Sequence, residues 1–282
     1  MLHVVTVVTE SKYYFPYLLE SCKDYGYDLE VLGYGEKWGG FNWRFKLIID
    51  YLKTLPENDI VCVVDGYDVI CCRDLKDLES VFLDINKKTG CKMIVSEEHH
   101  IRYFNKLTSK LFFGTYKNMF INVGTYIGFV SDLLDVLPNI YNLDRRDDAD
   151  DQQLILRYCR NSTNEIYCDS ENKLFLSIVN PLNEIDPYVD IQDGTLSYKG
   201  YHPFFVHAPF YGYLENILRK LGYHMDSNDI QNQLYNDFLE KKIWMYIVVF
   251  MKRYIVLLSI IVFVCIYFII FHKPKLIIKN NM

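Results

Sequence analysis

Two aspartates three residues apart could share one divalent cation. Asp65 and Asp68 enclose Gly66 and Tyr67, and they follow the apolar run 60–64, which is typical of a buried strand. Carboxylates on a tight turn can converge on a hard cation, and a glycine between them relaxes the backbone. Such a cation can bridge a diphosphate and neutralise the charge of a departing nucleotide. The turn therefore predicts a Mg²⁺ or Mn²⁺ site, and an ordinary acidic turn is the alternative.

A histidine far along the chain is also a plausible metal ligand. His207 ends the apolar run 204–206, so it lies at the end of a predicted strand. A neutral imidazole suits Mn²⁺ better than Mg²⁺, because Mn²⁺ accepts softer ligands. A packed or surface histidine is the competing interpretation.

A second acidic cluster occupies 147–152 and precedes the helical pattern 154–158. Carboxylates stabilise the first turn of a helix, which would account for one or two of them. A dense acidic run beside a site could also orient acceptor hydroxyls or stabilise positive charge on a sugar carbon. Between the clusters, 120–129 places small residues inside an aromatic strand, which indicates either close approach of a ligand or backbone, or a bulge.

An α/β domain could position these residues. The pattern 47–55 predicts a helix with one apolar face that ends before Pro56. In an open sheet, ligands bind beyond the carboxyl ends of the strands, which is where the turn 65–68 would lie. The apolar runs that predict strands are 4–8, 29–32, 60–64, 92–95, 121–130 and 204–207.

Composition narrows the class of protein. The 282 residues are 50% hydrophobic and carry a formal net charge of -6, from 36 acidic and 30 basic residues. A disordered or fibrous chain is excluded, and no nucleic acid is expected as a partner. The eight cysteines lack CxxC zinc spacing and are interpreted mostly as reduced core thiols.

The C-terminal region contains a candidate membrane span. Residues 254–271 carry no charge, and as a helix they would extend roughly 27 Å, which matches a bilayer core. Lys252, Arg253 and Lys273 flank the segment and could contact head groups. The N-terminal residues resemble a strand rather than a secretory signal. We therefore expect a single-pass C-terminal anchor with the catalytic domain in the cytosol, and a buried helix is the alternative.

Taken together, these residues resemble the glycosyltransferase domain of the procollagen lysyl hydroxylases, over residues 2–223. Five motifs agree in order and spacing. They are the first strand at 2–10, the Gly-x-Gly-Glu-x-Trp turn at 33–38, Asp-Gly-Tyr-Asp at 65–68, which is similar to the family's Asp-Ser-Tyr-Asp metal motif, the Gly-rich strand at 124–129, and the end of the poly-Asp segment at 150–152.

The resemblance implies a role for each site residue. Asp65, Asp68 and His207 would hold Mn²⁺, or Mg²⁺, with the diphosphate of a UDP-sugar. Asp150 and Asp151 would be the catalytic residues near the transferred sugar. The nucleotide itself would be contacted by Thr9, Trp38, Tyr67 and Asp65.

The resemblance also implies an architecture. Residues 1–225 would form a GT-A (Rossmann-like) glycosyltransferase domain, 226–253 a linker and juxtamembrane segment, 254–271 a transmembrane helix, and 272–282 a short basic tail. The enzyme would transfer a hexose, glucose or galactose, from a UDP-sugar to a hydroxyl acceptor on a protein, glycan or lipid.

Two features depart from the family. The segment 207–211 reads His-Ala-Pro-Phe-Tyr where the family has His-Gly-Asn-Gly-Pro, and no counterpart of the oxygenase domain is evident, so no lysyl hydroxylation is expected. A catalytically inactive, membrane-anchored UDP-binding or scaffold protein is therefore an alternative, and a metal-dependent phosphohydrolase is another.

Overall fold

A computed structural model describes residues 1–100, 110, 114–161, 164–179, 186–209 and 212–225, together with the single residues 230, 233, 262 and 264. Contacts divide the chain into two compact units, Met1–Gln231 and Asn232–Met282. The fold below is that of the first unit.

The described residues of the first unit combine helices with strands, which confirms the predicted α/β class. The helices are α1 (Phe15–Asp24), α2 (Phe41–Leu52), α3 (Leu78–Thr89), α4 (Val130–Tyr141), α5 (Asp151–Asn161) and α6 (Glu215–Lys220). The strands are β1 (Leu2–Val7), β2 (Glu30–Leu32), β3 (Ile60–Asp65), β4 (Val69–Cys71), β5 (Met93–His100), β6 (Ile121–Phe129), β7 (Ile166–Asp169), β8 (Phe175–Val179), β9 (Val189–Gln192), β10 (Thr195–Tyr198) and β11 (Phe205–His207).

Within the described residues, nine strands form one mixed sheet in the order β2-β1-β3-β6-β5-β8-β11-β4, with β7 branching from β5. Strands β1, β2 and β3 are parallel, and β6 runs antiparallel to both β3 and β5. Strand β11 is parallel to β8 and antiparallel to β4. Strands β9 and β10 form a separate hairpin.

The sheet must curl to connect β3 with β4. Four strands separate them in the sheet, yet only residues 66–68 join them in the chain. Three residues span at most ~11 Å of extended chain, far less than five strand spacings of about 4.8 Å each across a flat sheet. The strands from β3 to β4 therefore curve around a common interior, and the turn 65–68 closes the path.

Helices cover both faces of the sheet. Alternate residues of β3 point to opposite sides, so Val61 and Val63 join one core and Cys62 and Val64 the other. Helices α2, α4 and α5 contribute to the first core, and α1 and α3 to the second. The described cysteines are all buried and free.

Among the described residues, no helix combines the length and the apolar character of a membrane span. The span predicted at 254–271 lies outside the described residues apart from Val262 and Val264.

Candidate active site

The turn after β3 brings the three predicted metal ligands together. Strand β4 begins at Val69, which pairs with His207 of β11, so Asp68 lies beside the histidine. Nε2 of His207 is 3.3 Å from Oδ1 of Asp68 and 3.7 Å from Oδ2 of Asp65. One ligand atom from each residue lies within 4.8 Å of the other two, a spacing at which a single ion could bind all three.

The chemistry of this cluster fits a divalent cation. The His207 side chain is only 2% exposed, and its Nε2 is buried without a well-formed hydrogen bond to any described group. Its Nδ1 is 3.4 Å from Oγ of Ser177, which helps to orient the ring. Two carboxylates and one imidazole are a donor set that Mn²⁺ accepts, and Mg²⁺ less readily because of the nitrogen.

Charge and burial act against each other in this cluster. Burial raises the pKa of Asp65, which the Arg44 guanidinium lowers and the Asp68 charge raises again, and the net shift is upward. Burial lowers the pKa of His207, but the charges of Asp68 and Asp65 outweigh it, so this pKa is raised. The two neighbouring carboxylates thus favour any positive charge placed between them.

Two glycines make room for the cluster. A Cβ on Gly124 of β6 would lie 2.3 Å from Cε1 of His207 and 2.7 Å from Oδ2 of Asp65. A Cβ on Gly66 would lie 1.9 Å from Cγ1 of Val8, because the turn crosses the end of β1. Only glycine fits at either position without displacing its neighbours.

Strand β6 is irregular where its small residues indicated a bulge. Its pairing with β5 shifts register, since Tyr126 lies opposite Val95 whereas Asn122 lies opposite Ser96. This irregularity surrounds Gly124, which lies close to the side chains of Asp65 and His207. Close approach of another backbone occurs instead at Gly128, and close approach of a ligand stays a prediction.

The two predicted catalytic aspartates have different surroundings. Asp151, the first residue of α5, is paired with Arg44, and Arg44 is also paired with Asp65. Asp150 is exposed, and its Oδ1 accepts a hydrogen bond of 3.1 Å from the backbone N–H of Gln153. Asp151 thus lies next to the three candidate metal ligands, whereas Asp150 caps the helix.

The predicted nucleotide-binding residues are held at the end of β1 and in the segment before α2. The hydroxyl of Tyr67 accepts hydrogen bonds from the backbone N–H groups of Thr9 (3.1 Å) and Glu10 (3.3 Å). The carbonyl of Thr9 accepts one of 2.9 Å from Gly35, which ties the Gly-x-Gly turn to the same place.

Trp38 lies on the surface before α2. Its side chain is 38% exposed, and its ring packs edge-on against Phe41 and Trp43, at centroid distances of 5.8 and 5.7 Å. A ring that is exposed on one side and supported on the other can stack on a base.

Arg44 is a site residue that the sequence reasoning missed. It lies four residues before Ile48 and eight before Leu52, so it is on the buried stripe of α2. Its side chain is 15% exposed, and its guanidinium contacts two acidic residues. A signal was available, because an arginine within an apolar helical stripe needs an anionic partner.

A buried polar pair was also missed. Nδ2 of Asn122 donates to Oε2 of Glu98 at 3.1 Å, and Oδ1 of Asn122 accepts from the backbone N–H of Gly124 at 2.8 Å. In the sheet, Glu98 lies opposite Ser177, which lies opposite His207. This pair thus borders the metal cluster, and its register could not be read from the sequence.

Known proteins are similar to this chain in sequence. Residues 1–208 match the family described as the PLOD GT domain. The chain is 26% identical over 163 residues to the multifunctional procollagen lysine hydroxylase and glycosyltransferase of Caenorhabditis elegans. This match covers 54% of the chain and 22% of the worm protein, so the chain spans about a fifth of that relative's length.

A solved structure is also similar, that of a glycosyltransferase involved in the glycosylation of the major capsid of PBCV-1. The identity is 16% and the TM-score 0.44, over 73% of this chain and 93% of that one. The family match covers most of the chain, and it includes the turn 65–68, the acidic segment 147–152 and His207. The chain belongs to the PLOD glycosyltransferase domain family.

Proposed function

We propose that the chain is a metal-dependent transferase that moves a hexose, glucose or galactose, from a UDP-sugar to a hydroxyl acceptor on a protein, glycan or lipid. The observation that carries the proposal is the cluster of Asp65, Asp68 and His207 at the carboxyl ends of β3 and β11. Hydrolysis of a phosphate ester would need the same acids, but it would not need the aromatic residues Trp38 and Tyr67 nearby.

Each part of the site has a task in this proposal. Asp65, Asp68 and His207 would hold Mn²⁺, which supplies a positive charge for the diphosphate of the leaving UDP. Trp38 and Tyr67 pack about the uracil and the ribose, and Thr9 contacts the nucleotide. Asp151 faces the sugar and stabilises positive charge as the glycosidic bond to UDP weakens. Orientation and charge stabilisation supply most of the rate enhancement.

A screen of UDP-sugar hydrolysis with and without Mn²⁺ tests this function, because hydrolysis requires no knowledge of the acceptor. The wild-type chain should hydrolyse one UDP-hexose in a manganese-dependent manner. Asp65→Ala with Asp68→Ala should abolish this turnover, whereas Asp50→Ala, at an exposed position of α2, should not change it. Undiminished, manganese-independent turnover in the double variant would refute the assignment.

An inactive UDP-binding or scaffold protein is the second candidate, and the segment after His207 favours it. Ala208 is buried and donates its N–H to the carbonyl of Asp68 at 2.8 Å, where the family motif has glycine. A ligand that binds the native state raises thermal stability whether or not chemistry follows. Stabilisation by UDP and Mn²⁺ with no turnover of any UDP-sugar would favour this candidate.

We also propose that residues 254–271 attach the chain to a membrane and leave the catalytic domain in the cytosol. The support is the uncharged length of this segment and its basic flanks. The protein should stay in the membrane fraction after carbonate extraction, and the catalytic domain should be digested by protease added to sealed vesicles. Release by carbonate, or protection from protease, would contradict this topology.

A further inference from the structure

One guanidinium connects the two halves of the candidate site. Nη1 of Arg44 donates to Oδ1 of Asp65, and Nη2 donates to Oδ2 of Asp151. The other oxygen of Asp65 faces His207, at 3.7 Å. Asp65 therefore contacts Arg44 with one carboxylate oxygen and faces the other candidate metal ligands with the second.

The position of Arg44 is determined by the backbone around it. The N–H groups of Asn42 and Trp43 donate to the carbonyl of Asp147, at 2.9 and 3.2 Å. Nδ2 of the buried Asn42 donates to the carbonyls of Asp144 (2.6 Å) and Arg146 (3.1 Å). These bonds dock the start of α2 onto the loop that leads into α5.

A glycine permits this docking. Gly40 has a φ of +125°, and a Cβ there would lie 2.3 Å from the carbonyl oxygen of Asp147. The segment before α2 and the loop that leads into α5 thus approach more closely than a side chain at position 40 would allow. Arg44 on α2 and Asp151 on α5 are consequently carried by elements locked to one another.

A guanidinium is suited to fixing a distance. It is planar and rigid, and two of its nitrogens can bind two acceptors at once, whereas an ammonium is a single point charge. Arg44 is largely buried, so its charge needs its two carboxylate partners, and neither of these has another described cation as close. Its guanidinium also lies over the ring of Phe41, with Cζ 5.7 Å from the ring centroid.

We propose that Arg44 is a positioning residue that sets the separation between the metal-binding carboxylate of Asp65 and the sugar-facing carboxylate of Asp151. This inference rests on the proposed function. Through this separation, Arg44 aligns the anomeric carbon with Asp151 while the diphosphate is held at the cation. Loss of the bridge should therefore lower kcat for a UDP-hexose more than it weakens the binding of Mn²⁺ or of UDP.

The test compares Arg44→Lys with the wild-type chain and with Lys46→Gln, a matched control at an exposed position of the same helix. Calorimetric titrations with Mn²⁺ and with UDP plus Mn²⁺ measure binding. The affinities of Arg44→Lys should change by less than about threefold, because the positive charge is kept. Its kcat for UDP-hexose hydrolysis should fall about 10- to 100-fold, the loss expected when reacting groups are misplaced by about an ångström.

A double-mutant cycle separates positioning from general support of the fold. Asp151→Asn should lower kcat strongly in the wild-type chain but only slightly in Arg44→Lys, because the bridge is already broken. Retention of UDP and Mn²⁺ binding shows that the variant is folded. Wild-type kcat in Arg44→Lys, additive effects of the two substitutions, or a loss of Mn²⁺ binding as large as in Asp65→Asn would each overturn the inference.

The same titrations distinguish this inference from the proposed function. A wild-type chain that binds neither Mn²⁺ nor UDP would overturn the proposed function, and the inference with it. Wild-type binding and turnover together with an unaffected Arg44→Lys would overturn the inference alone.

Discussion

At the scale of single residues, the site depends on the absence of a side chain at Gly124 as much as on the three ligand residues. Asp65, Asp68 and His207 supply the ligand atoms, but Gly124 leaves the space in which they meet. A methyl group there would come within 2.7 Å of an Asp65 oxygen and 2.3 Å of the His207 ring. The strand that passes the site must therefore carry no side chain at this position.

Gly124→Ala should lower Mn²⁺ affinity about 10- to 100-fold, the range seen when the surroundings of metal ligands are disturbed. The added methyl would push His207 or Asp65 out of position. Calorimetric titration with Mn²⁺ measures the effect. Gly128→Ala on the same strand is the control, since its Cβ would meet the Lys92 carbonyl at 2.6 Å and the Leu133 side chain. Wild-type Mn²⁺ affinity in Gly124→Ala would show that space at Gly124 is not required.

The residue types of the site were largely predictable, but their pairing was not. The turn 65–68 follows a recognisable strand, so its carboxylates could be read as a cation site. His207 could be joined to them only through the resemblance, because 138 residues separate it from Val69, its partner across the sheet. Arg44 was missed, because its two acidic partners lie 21 and 107 residues away along the chain.

At the scale of elements, the site is built from short strands, of which one escaped prediction. The runs 29–32 and 204–207 predicted β2 and β11, whereas β4, with three residues, is too short for an alternating pattern to stand out. The hairpin of β9 and β10 was not predicted either, although Asp193 and Gly194 both have positive φ and form the kind of turn that joins two strands. The longer strands β1, β3 and β6 agree with the predicted patterns to within two residues, whereas α2 overlaps the predicted helix 47–55 but begins at Phe41 and ends at Leu52.

The contact between α2 and the loop that leads into α5 should contribute measurably to the free energy of unfolding. Asn42→Ala removes two hydrogen bonds of a buried amide and leaves the carbonyls of Asp144 and Arg146 without this partner. We expect the free energy of unfolding to fall by about 1–3 kcal/mol. Urea denaturation measures it.

The matched control for this experiment is Asn139→Ala in α4. Nδ2 of Asn139 donates to the Asp135 carbonyl at 2.7 Å, but on the exposed surface. Its loss should change the free energy of unfolding by no more than about 0.5 kcal/mol. Equal effects of the two substitutions would mean that Asn42 does not lock the helix to the loop.

At the scale of the whole molecule, the curled sheet brings distant segments around one interior, and its stability should depend on pH. His99 of β5 packs beside Tyr198 of β10, and its Nε2 accepts a hydrogen bond of 2.9 Å from Nδ2 of Asn172. Burial lowers the pKa of His99 to about 4, and the positive charge of Lys199 acts in the same direction. An unfolded histidine titrates near pH ~6.5.

The sign of this dependence follows from the two pKa values. Between pH 6.5 and about 4 the unfolded chain binds the proton more readily than the folded one, so the contribution of His99 is full above this window and lost as pH falls through it. The loss is about 3 kcal/mol.

His99→Gln should make the free energy of unfolding, measured by urea denaturation, less dependent on pH in this window. His202→Gln, at an exposed position, should keep the wild-type dependence. A dependence that is unchanged in His99→Gln would show that His99 is not held neutral by burial.

The account depends most on one ion bound between the turn after β3 and the end of β11. The most direct measurement is the anomalous scattering of manganese in crystals of the protein grown with Mn²⁺ and UDP. We predict a single peak coordinated by Asp65, Asp68 and His207, with the diphosphate on its open side. Manganese bound elsewhere, or UDP bound with no ion at these three side chains, would contradict the account.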